Sequence, residues 1–400
     1  MGPFRYSRLP REPGENSMAS ETWVLTDAAQ SLHEEDFENR EVSEGQDFSL
    51  SRRTLRGGKR EGVDTIEVDN GTFRFVVVPT RGMGLWRGWL DKTEVGWHSP
   101  VKGPVHPNYV TLNEPSGLGW LEGFDELLCR CGLVSNGAPE LGPGGGYQYP
   151  LHGRIANLPA HHVAASVEGD ELSITGVVDE TRFLFQKLRL TATYKTRLGQ
   201  KGVTIVDEVT NLSGDPAEMQ LLYHINFGPP VIESGARVAA PVKTIVPRDP
   251  RAAEGVETWE SYQAPQAGFA EQVYFFKLLA GDDGRTHVLL KDAHSSRGVS
   301  LRYDTRQLPC FTLWKNTPLE PDGYVTGLEP GTNYPNSRSF EGEQGRVVKL
   351  GPGEKVKFEL ELEVHDDAET VSAAEQQIAA LAEGTVPEVF PKPQPGWTQT

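Results

Sequence analysis

The chain has 400 residues, 37% hydrophobic and 24% charged, with 43 Gly and 29 Pro, an ordinary turn-rich globular composition that excludes a fibrous or wholly disordered protein. Its formal net charge is −17, from 39 Lys plus Arg against 56 Asp plus Glu, with no basic run; nucleic acid and anionic membrane are not expected partners, and a neutral ligand stays open. Three cysteines, Cys129, Cys131 and Cys310, make no disulfide framework, and the first two are spaced wrongly for a zinc knuckle or redox pair, so buried thiols, no metal or cofactor, and a reducing, cytoplasmic setting are expected.

No stretch reaches the ~20 apolar residues that span a bilayer, and the N-terminus lacks the apolar core of a secretory signal. Residues 1–17 (MGPFRYSRLPREPGENS) are polar and rich in Pro, Gly and Arg. Residues 1–50 are expected to form a partly disordered leader and peripheral segment, with a thin apolar stripe near AAQSLHEEDFENREVSE that could support a short helix. From Gly62 the pattern alternates. In VDTIEVDNGTFRFVVVP, β-branched and aromatic residues recur at every second position around Asn70-Gly71, the strongest short hairpin signal because both turn positions favour positive φ.

Residues 100–150 are dense in Gly and Pro and weakly periodic, with one apolar segment at Phe124 to Leu133. A long irregular stretch inside a compact domain is commonly functional, so it is expected to lie against a pocket. Alternating segments then follow about every dozen residues, from ELSITGVV to KVKFELELEVH, without long helices between them. This pattern predicts an all-β sandwich or barrel over residues 51–366. Residues 367–400 are expected to be a helix (DAETVSAAEQQIAALAE, with Val371, Ala374, Ile378 and Leu381 at 3–4 spacing) and a Pro-rich tail that is mobile or on the surface. No G-x-G-x-x-G, Walker A, H-E-x-x-H or G-x-S-x-G pattern occurs, which removes the nucleotide, zinc-protease and α/β-hydrolase readings.

Three polar constellations sit at strand ends or in Gly/Pro loops. In L-L-Y-H-I-N-F, His224 and Asn226 share one strand face while Tyr223, Ile225 and Phe227 take the other, so the polar face is either solvated or the floor of a pocket. His152 precedes Gly153 and Arg154, where glycine allows close backbone approach to a ligand and the guanidinium can donate to hydroxyls; a self-capping turn is the plainer alternative. Glu329 follows Y-V-T-G-L at a sheet rim, where apolar neighbours such as Leu328 and Trp314 could raise its pKa toward neutrality.

In this order the motifs L-H-G (Leu151 to Gly153), H-I-N-F (His224 to Phe227) and L-E-P (Leu328 to Pro330) resemble the aldose 1-epimerase, or galactose mutarotase-like, family over roughly residues 60–365. The resemblance implies a large antiparallel supersandwich that interconverts the α and β anomers of a free sugar. It implies His224 as general acid on the ring oxygen, Glu329 as the group that takes the anomeric hydroxyl proton, and His152 as a sugar-holding residue that helps polarise the ring oxygen. Arg81, in PTRGMGLWRGW, looks like the family's early arginine that contacts sugar hydroxyls, and Trp314 could stack on a pyranose ring. The chain differs from well-studied galactose mutarotases: Y-H-I-N-F-G-P stands for N-H-x-Y-F-N-L, and His-Gly-Arg for His-Gly-Gly. Alternatives are a non-catalytic carbohydrate-binding module, or an epimerase or lyase on an acidic sugar whose carboxylate would face Arg81 and Arg154.

Overall fold

The computed structural model describes residues 20–43 and 46–399. Strict alternation is clearest in four consecutive strands, His162–Glu168, Glu171–Thr181, Lys187–Arg197 and Gly202–Asn211. Val163, Ala165, Leu172, Ile174, Leu188, Leu190 and Ile205 point inward, and the intervening residues face solvent. These strands belong to a ten-stranded sheet whose inner face packs on a fourteen-stranded sheet through one large apolar core. The pairing is antiparallel almost throughout, which makes the fold an all-β supersandwich.

The middle of the larger sheet runs Gln272–Leu278, Cys310–Asn316, Val325–Gly331, Ala217–Phe227, Leu128–Leu133. Leu128–Leu133 and Val325–Gly331 are buried along their whole length. Strands covered on both faces lose the alternation of apolar and polar residues, because neither face meets water. Here the outer face is covered by the irregular segment that carries Trp97, Trp120 and Phe124.

A buried polar knot fastens the two sheets behind this face. Arg130 forms a bidentate pair with Asp207, Nε to Oδ2 at 2.6 Å and Nη2 to Oδ1 at 2.8 Å, and donates to Tyr194 and the Met83 carbonyl. Tyr223 donates to the same Asp207 at 2.8 Å, so every donor and acceptor is matched and the desolvated charges are compensated. Tyr223 and Arg130 are sequence neighbours of His224 and Cys129 respectively, which holds the outer-face residues in register.

The structure departs from two expectations. The described residues between 20 and 54 form mostly strands, Ser20–Asp27 pairing with His162–Glu168 and Gln46–Thr54 with Asp64–Asp69, and the only helical turn among these described residues is Ala28–Gln30. The sandwich thus extends well before residue 51, because sheet edges offer unpaired backbone groups that a weak amphipathic segment satisfies better as strand than as isolated helix; residues 1–17 lie outside the described residues. The Asn70-Gly71 hairpin is present, but only Gly71 takes positive φ (85°), while the Asn70 side chain closes the turn by accepting from Thr72 and Phe73. The Pro-rich tail lies on the surface, one of the two expected placements, and is docked there: Trp397 stacks on Tyr334 at 5.2 Å, and Glu388–Val389 pairs with Thr244 and Ile245. The helix is present as Ala368–Leu381, capped by Asp367, with Val371, Ala374 and Ile378 buried. No helix among the described residues is long and apolar enough to cross a membrane.

Candidate active site

Strand register assembles the site. Leu222 pairs with Gly331 and Ile225 with Leu328, so His224 stands across from Glu329 on the neighbouring strand. Cys129 pairs with His224 on one side and Thr312 with Glu329 on the other, which sets Cys129, His224, Glu329 and Thr312 in one row on the outer face. Tyr223, Ile225 and Phe227 point into the main core, as the period of two requires.

His224 and Glu329 are 4% and 2% exposed, and His224 Nε2 lies 3.2 Å from Glu329 Oε1. The contact is off the line of a hydrogen bond, leaving Oε1 a buried oxygen without a partner. Burial pushes the Glu329 carboxyl well above its ordinary value, with Glu271 adding to the rise and Arg248 opposing it. Burial also pulls the His224 imidazole well below its ordinary value, and His152 adds to the fall. Gly327 makes the close approach possible: a Cβ there would collide with Glu329 Oε1 and press on His224 Cε1 at 3.2 Å.

His152 enters from the irregular segment with φ of 56°, its Nδ1 donating to the Asn136 carbonyl at 2.9 Å. Its ring centroid is 5.4 Å from that of His224 and 4.6 Å from that of Trp120. Burial lowers its pKa to about 4, so it is neutral at physiological pH, and Nε2 is left as an acceptor. The glycine after it approaches protein backbone rather than a ligand, since a Cβ on Gly153 would strike the carbonyls of Ser135 and Gly132.

These groups line a hollow of about 330 Å³ walled by Trp120, Phe124 and Trp314, which Arg248, Glu271 and Thr312 also line. Glu271 accepts from Trp314 Nε1 at 2.7 Å and from Arg248 at 2.8 Å, so the Trp314 ring plane is fixed. Trp120 Nε1, Thr312 Oγ1 and Glu329 Oε1, all from this lining, are buried without hydrogen-bond partners. Stranded polar atoms cost free energy unless something polar enters.

The sequence-predicted residues divide clearly. His152, His224, Glu329 and Trp314 meet in the hollow. Arg81 does not: its guanidinium is buried against Glu126 (2.6 Å), Asn157 and the Gly123 carbonyl (2.9 Å) and takes no part in the lining of the hollow. It instead anchors the turn that carries Trp120 and Phe124. Arg154 lines a separate hollow of about 710 Å³ with Tyr149, Glu180 and Arg182. Asn226 is fully buried and reaches His224, with Oδ1 2.6 Å from His224 Nδ1, rather than the hollow. Cys129 and Cys131 are free and buried in the cluster that includes Trp120 and Phe124.

Trp120, Phe124, Arg248, Glu271 and Thr312 escaped sequence reasoning. Thr312 was within reach, two residues before Trp314 on the same strand face. Arg248 and Glu271 carry no local signal, because an Arg and a Glu just outside strands look like ordinary surface residues.

A family model described as a domain of unknown function, DUF4432, matches residues 60–364. A solved protein from Klebsiella pneumoniae, provisionally named an aldose 1-epimerase, is 35% identical, with a TM-score of 0.91 over 94% of this chain and 99% of its own. A galactose mutarotase-like protein from Clostridium acetobutylicum shares the fold at 18% identity, with a TM-score of 0.53 over 84% of this chain and 100% of its own. A galactose mutarotase related enzyme from Lactobacillus acidophilus does so at 14% identity, with a TM-score of 0.54 over 76% and 98% of the two chains. No curated protein matches the chain. The chain belongs to the aldose 1-epimerase, galactose mutarotase-like superfamily and, within it, to the DUF4432 family.

Proposed function

We propose that this chain interconverts the anomers of a free, uncharged sugar, with His224 and Glu329 as the acid/base pair. The observation that carries the reading is the pair itself: an imidazole and a carboxyl 3.2 Å apart, both buried at the foot of an aromatic-walled hollow. Opening a hemiacetal needs one proton removed from the anomeric hydroxyl and one delivered to the ring oxygen. A buried pair that holds one proton between two sites meets that need without further chemistry, and each member contributes about 10²- to 10⁴-fold. A hollow of about 330 Å³ lies at the lower end of the about 300–1,000 Å³ typical of ligand pockets, which suits a monosaccharide. Trp314 offers an aromatic face to the apolar side of a pyranose, and the unpaired Trp120 Nε1 and Thr312 Oγ1 suit hydroxyl groups. His152 serves as a hydroxyl acceptor.

The net charge of −17 and the free thiols support a small neutral substrate, with no nucleic acid, in a reducing cytoplasmic setting. An acidic sugar is the weaker alternative. Arg81 is consumed by Glu126, Arg154 lies outside the hollow, and Arg248 already serves Asp249 and Glu271. Polarimetry of freshly dissolved α-aldoses, with and without the protein, tests the proposal: acceleration supports it, and saturable sugar binding without acceleration supports a binding module instead.

A further inference from the structure

The Pro-rich tail lines no part of the hollow, yet it is fastened to the segment that backs it. Tyr334, 2% exposed, stacks on Phe275 with ring centroids 4.7 Å apart, and Trp397 stacks on Tyr334 at 5.2 Å. The polar contacts of the tail fall on the residues that follow Tyr334. Asn336 Nδ2 donates to the Trp397 carbonyl at 2.9 Å, the Ser337 N–H donates to Gln399 Oε1 at 2.9 Å, and Gln399 Nε2 donates to Ser337 Oγ at 2.6 Å. Pro391, Pro393 and Pro395 restrict the chain just before these contacts, which lowers the entropy lost when it docks.

Residues 333–337 in turn back the turn that holds His152. Asn333 and Asn136, both fully buried, exchange amide hydrogen bonds of 2.8 and 2.9 Å, and separating them would strand polar groups away from water. The Pro335 carbonyl accepts from the Ala138 N–H at 3.1 Å, and a Cβ on Gly137 would strike the Asn336 carbonyl. The carbonyls of Asn136 and Gly137 are the two that hold His152, the first accepting from Nδ1 and the second from the backbone N–H, each at 2.9 Å. His152 also has φ of 56°, which a residue other than glycine keeps only where its surroundings impose it.

We infer that Trp397 is a positioning residue: it straps residues 333–337 against residues 136–138 and thereby fixes the His152 ring in the hollow. The kinetic consequence rests on the anomer-interconverting reading of the hollow; the strap itself does not. Without the indole, Tyr334 loses its outer ring partner and the segment that carries Pro335, itself part of the lining, is free to move outward. His152 then loses the fixed carbonyl at Nδ1, and the acceptor at Nε2 loses its direction.

Solvent exchange of the His152 Nδ1 proton tests the inference, followed by NMR of the full chain labelled with 15N-histidine and assigned by the loss of its signal in His152→Gln. Trp397→Ala is expected to speed that exchange by about tenfold or more, because it lowers the cost of local opening around the bond. His287 and His365, in the ten-stranded sheet, should keep their signals, and Trp397→Phe, which leaves a ring on Tyr334, should restore slow exchange at His152. In polarimetry Trp397→Ala should lower kcat/KM by about tenfold, the effect of a misplaced contact group. In a His152→Gln background the same change should cost no more than about twofold, since the two substitutions remove one contribution. Unchanged proton exchange at His152 in folded Trp397→Ala, or an equal loss of kcat/KM with and without His152, overturns the inference. If Trp397→Ala does not fold, Gln399→Ala, which removes only the two bonds to Ser337, decides by the same signal: faster exchange at His152 supports the strap and unchanged exchange overturns it. A wild type that accelerates no anomer interconversion ends the parent reading, while proton exchange at His152 still decides the strap.

Discussion

His224 and Glu329 are 105 positions apart in sequence and face each other across one step of an antiparallel ladder, with Nε2 and Oε1 3.2 Å apart. The two groups adjoin at the foot of one hollow, so they are expected to act as a unit. His224→Gln and Glu329→Gln should each lower the rate of anomer exchange by about 10²-fold or more, and the double variant should be little worse than either single one. Multiplicative losses in the double variant, measured by polarimetry, would show two independent contributions.

The same carboxyl is predicted to weaken the fold at neutral pH. Burial holds Glu329 protonated above its ordinary value of 4.5, so above that pH the unfolded chain releases a proton that the folded chain retains. Its contribution is fully present below pH 4.5 and is lost as pH rises toward the raised folded value. Glu329→Gln, a neutral mimic of the protonated acid, removes this slope. The variant should match wild type near pH 4 and unfold about 2 °C or more higher at pH 7, roughly the shift that 1 kcal/mol produces in a large domain. Parallel melting curves from pH 4 to 8 would mean that Glu329 ionises in the folded state.

Gly327 sits where a methyl group would strike Glu329 Oε1 and crowd His224. Gly327→Ala should therefore displace the pair and lower activity by about tenfold or more, for an overpacking cost in stability of about 1–3 kcal/mol. Thermal melts and exchange rates on one sample separate the two effects, and an Ala variant with full activity would show that the contact is not needed.

Three of the residues first considered for substrate contact should behave differently from one another. Trp314→Ala removes a wall of the hollow and should raise KM by about tenfold, a loss of roughly 1–2 kcal/mol of aromatic contact. Arg154→Ala, in the separate hollow, should leave kcat and KM within about twofold, as surface changes away from a site normally do. Arg81→Ala breaks a buried ion pair and should cost about 3–5 kcal/mol of stability, read from chemical denaturation. A large KM effect from Arg154→Ala would move the sugar site toward the second hollow.

The β-rich fold is legible in the sequence wherever one strand face meets water, as in residues 162–211, because alternation records that contrast directly. It fades in Leu128–Leu133 and Val325–Gly331, where both faces are buried and no contrast remains. The edge strands of residues 20–54 are invisible for a different reason: their pairing partners lie more than a hundred residues away in the case of Ser20–Asp27, and no local pattern encodes such a partner. In the site, His152, His224 and Glu329 are legible because reactive side chains stand beside Gly, Pro or a shared strand face. Arg81 misleads because a buried, paired arginine and a ligand-binding one have the same neighbours in sequence. Asn226 misleads more subtly, since sharing a face with His224 places it against the imidazole without bringing it to the hollow.

The most direct measurement is two-dimensional exchange NMR of a panel of neutral aldoses at equilibrium, following α-to-β transfer with wild-type protein, His224→Gln and Glu329→Gln. Exchange for at least one sugar should be faster with wild type than in buffer, and both variants should return it to the buffer rate within the about 10²-fold loss expected of a missing acid or base. Equal exchange with wild type and buffer for every sugar, or undiminished acceleration by both variants, would contradict the account.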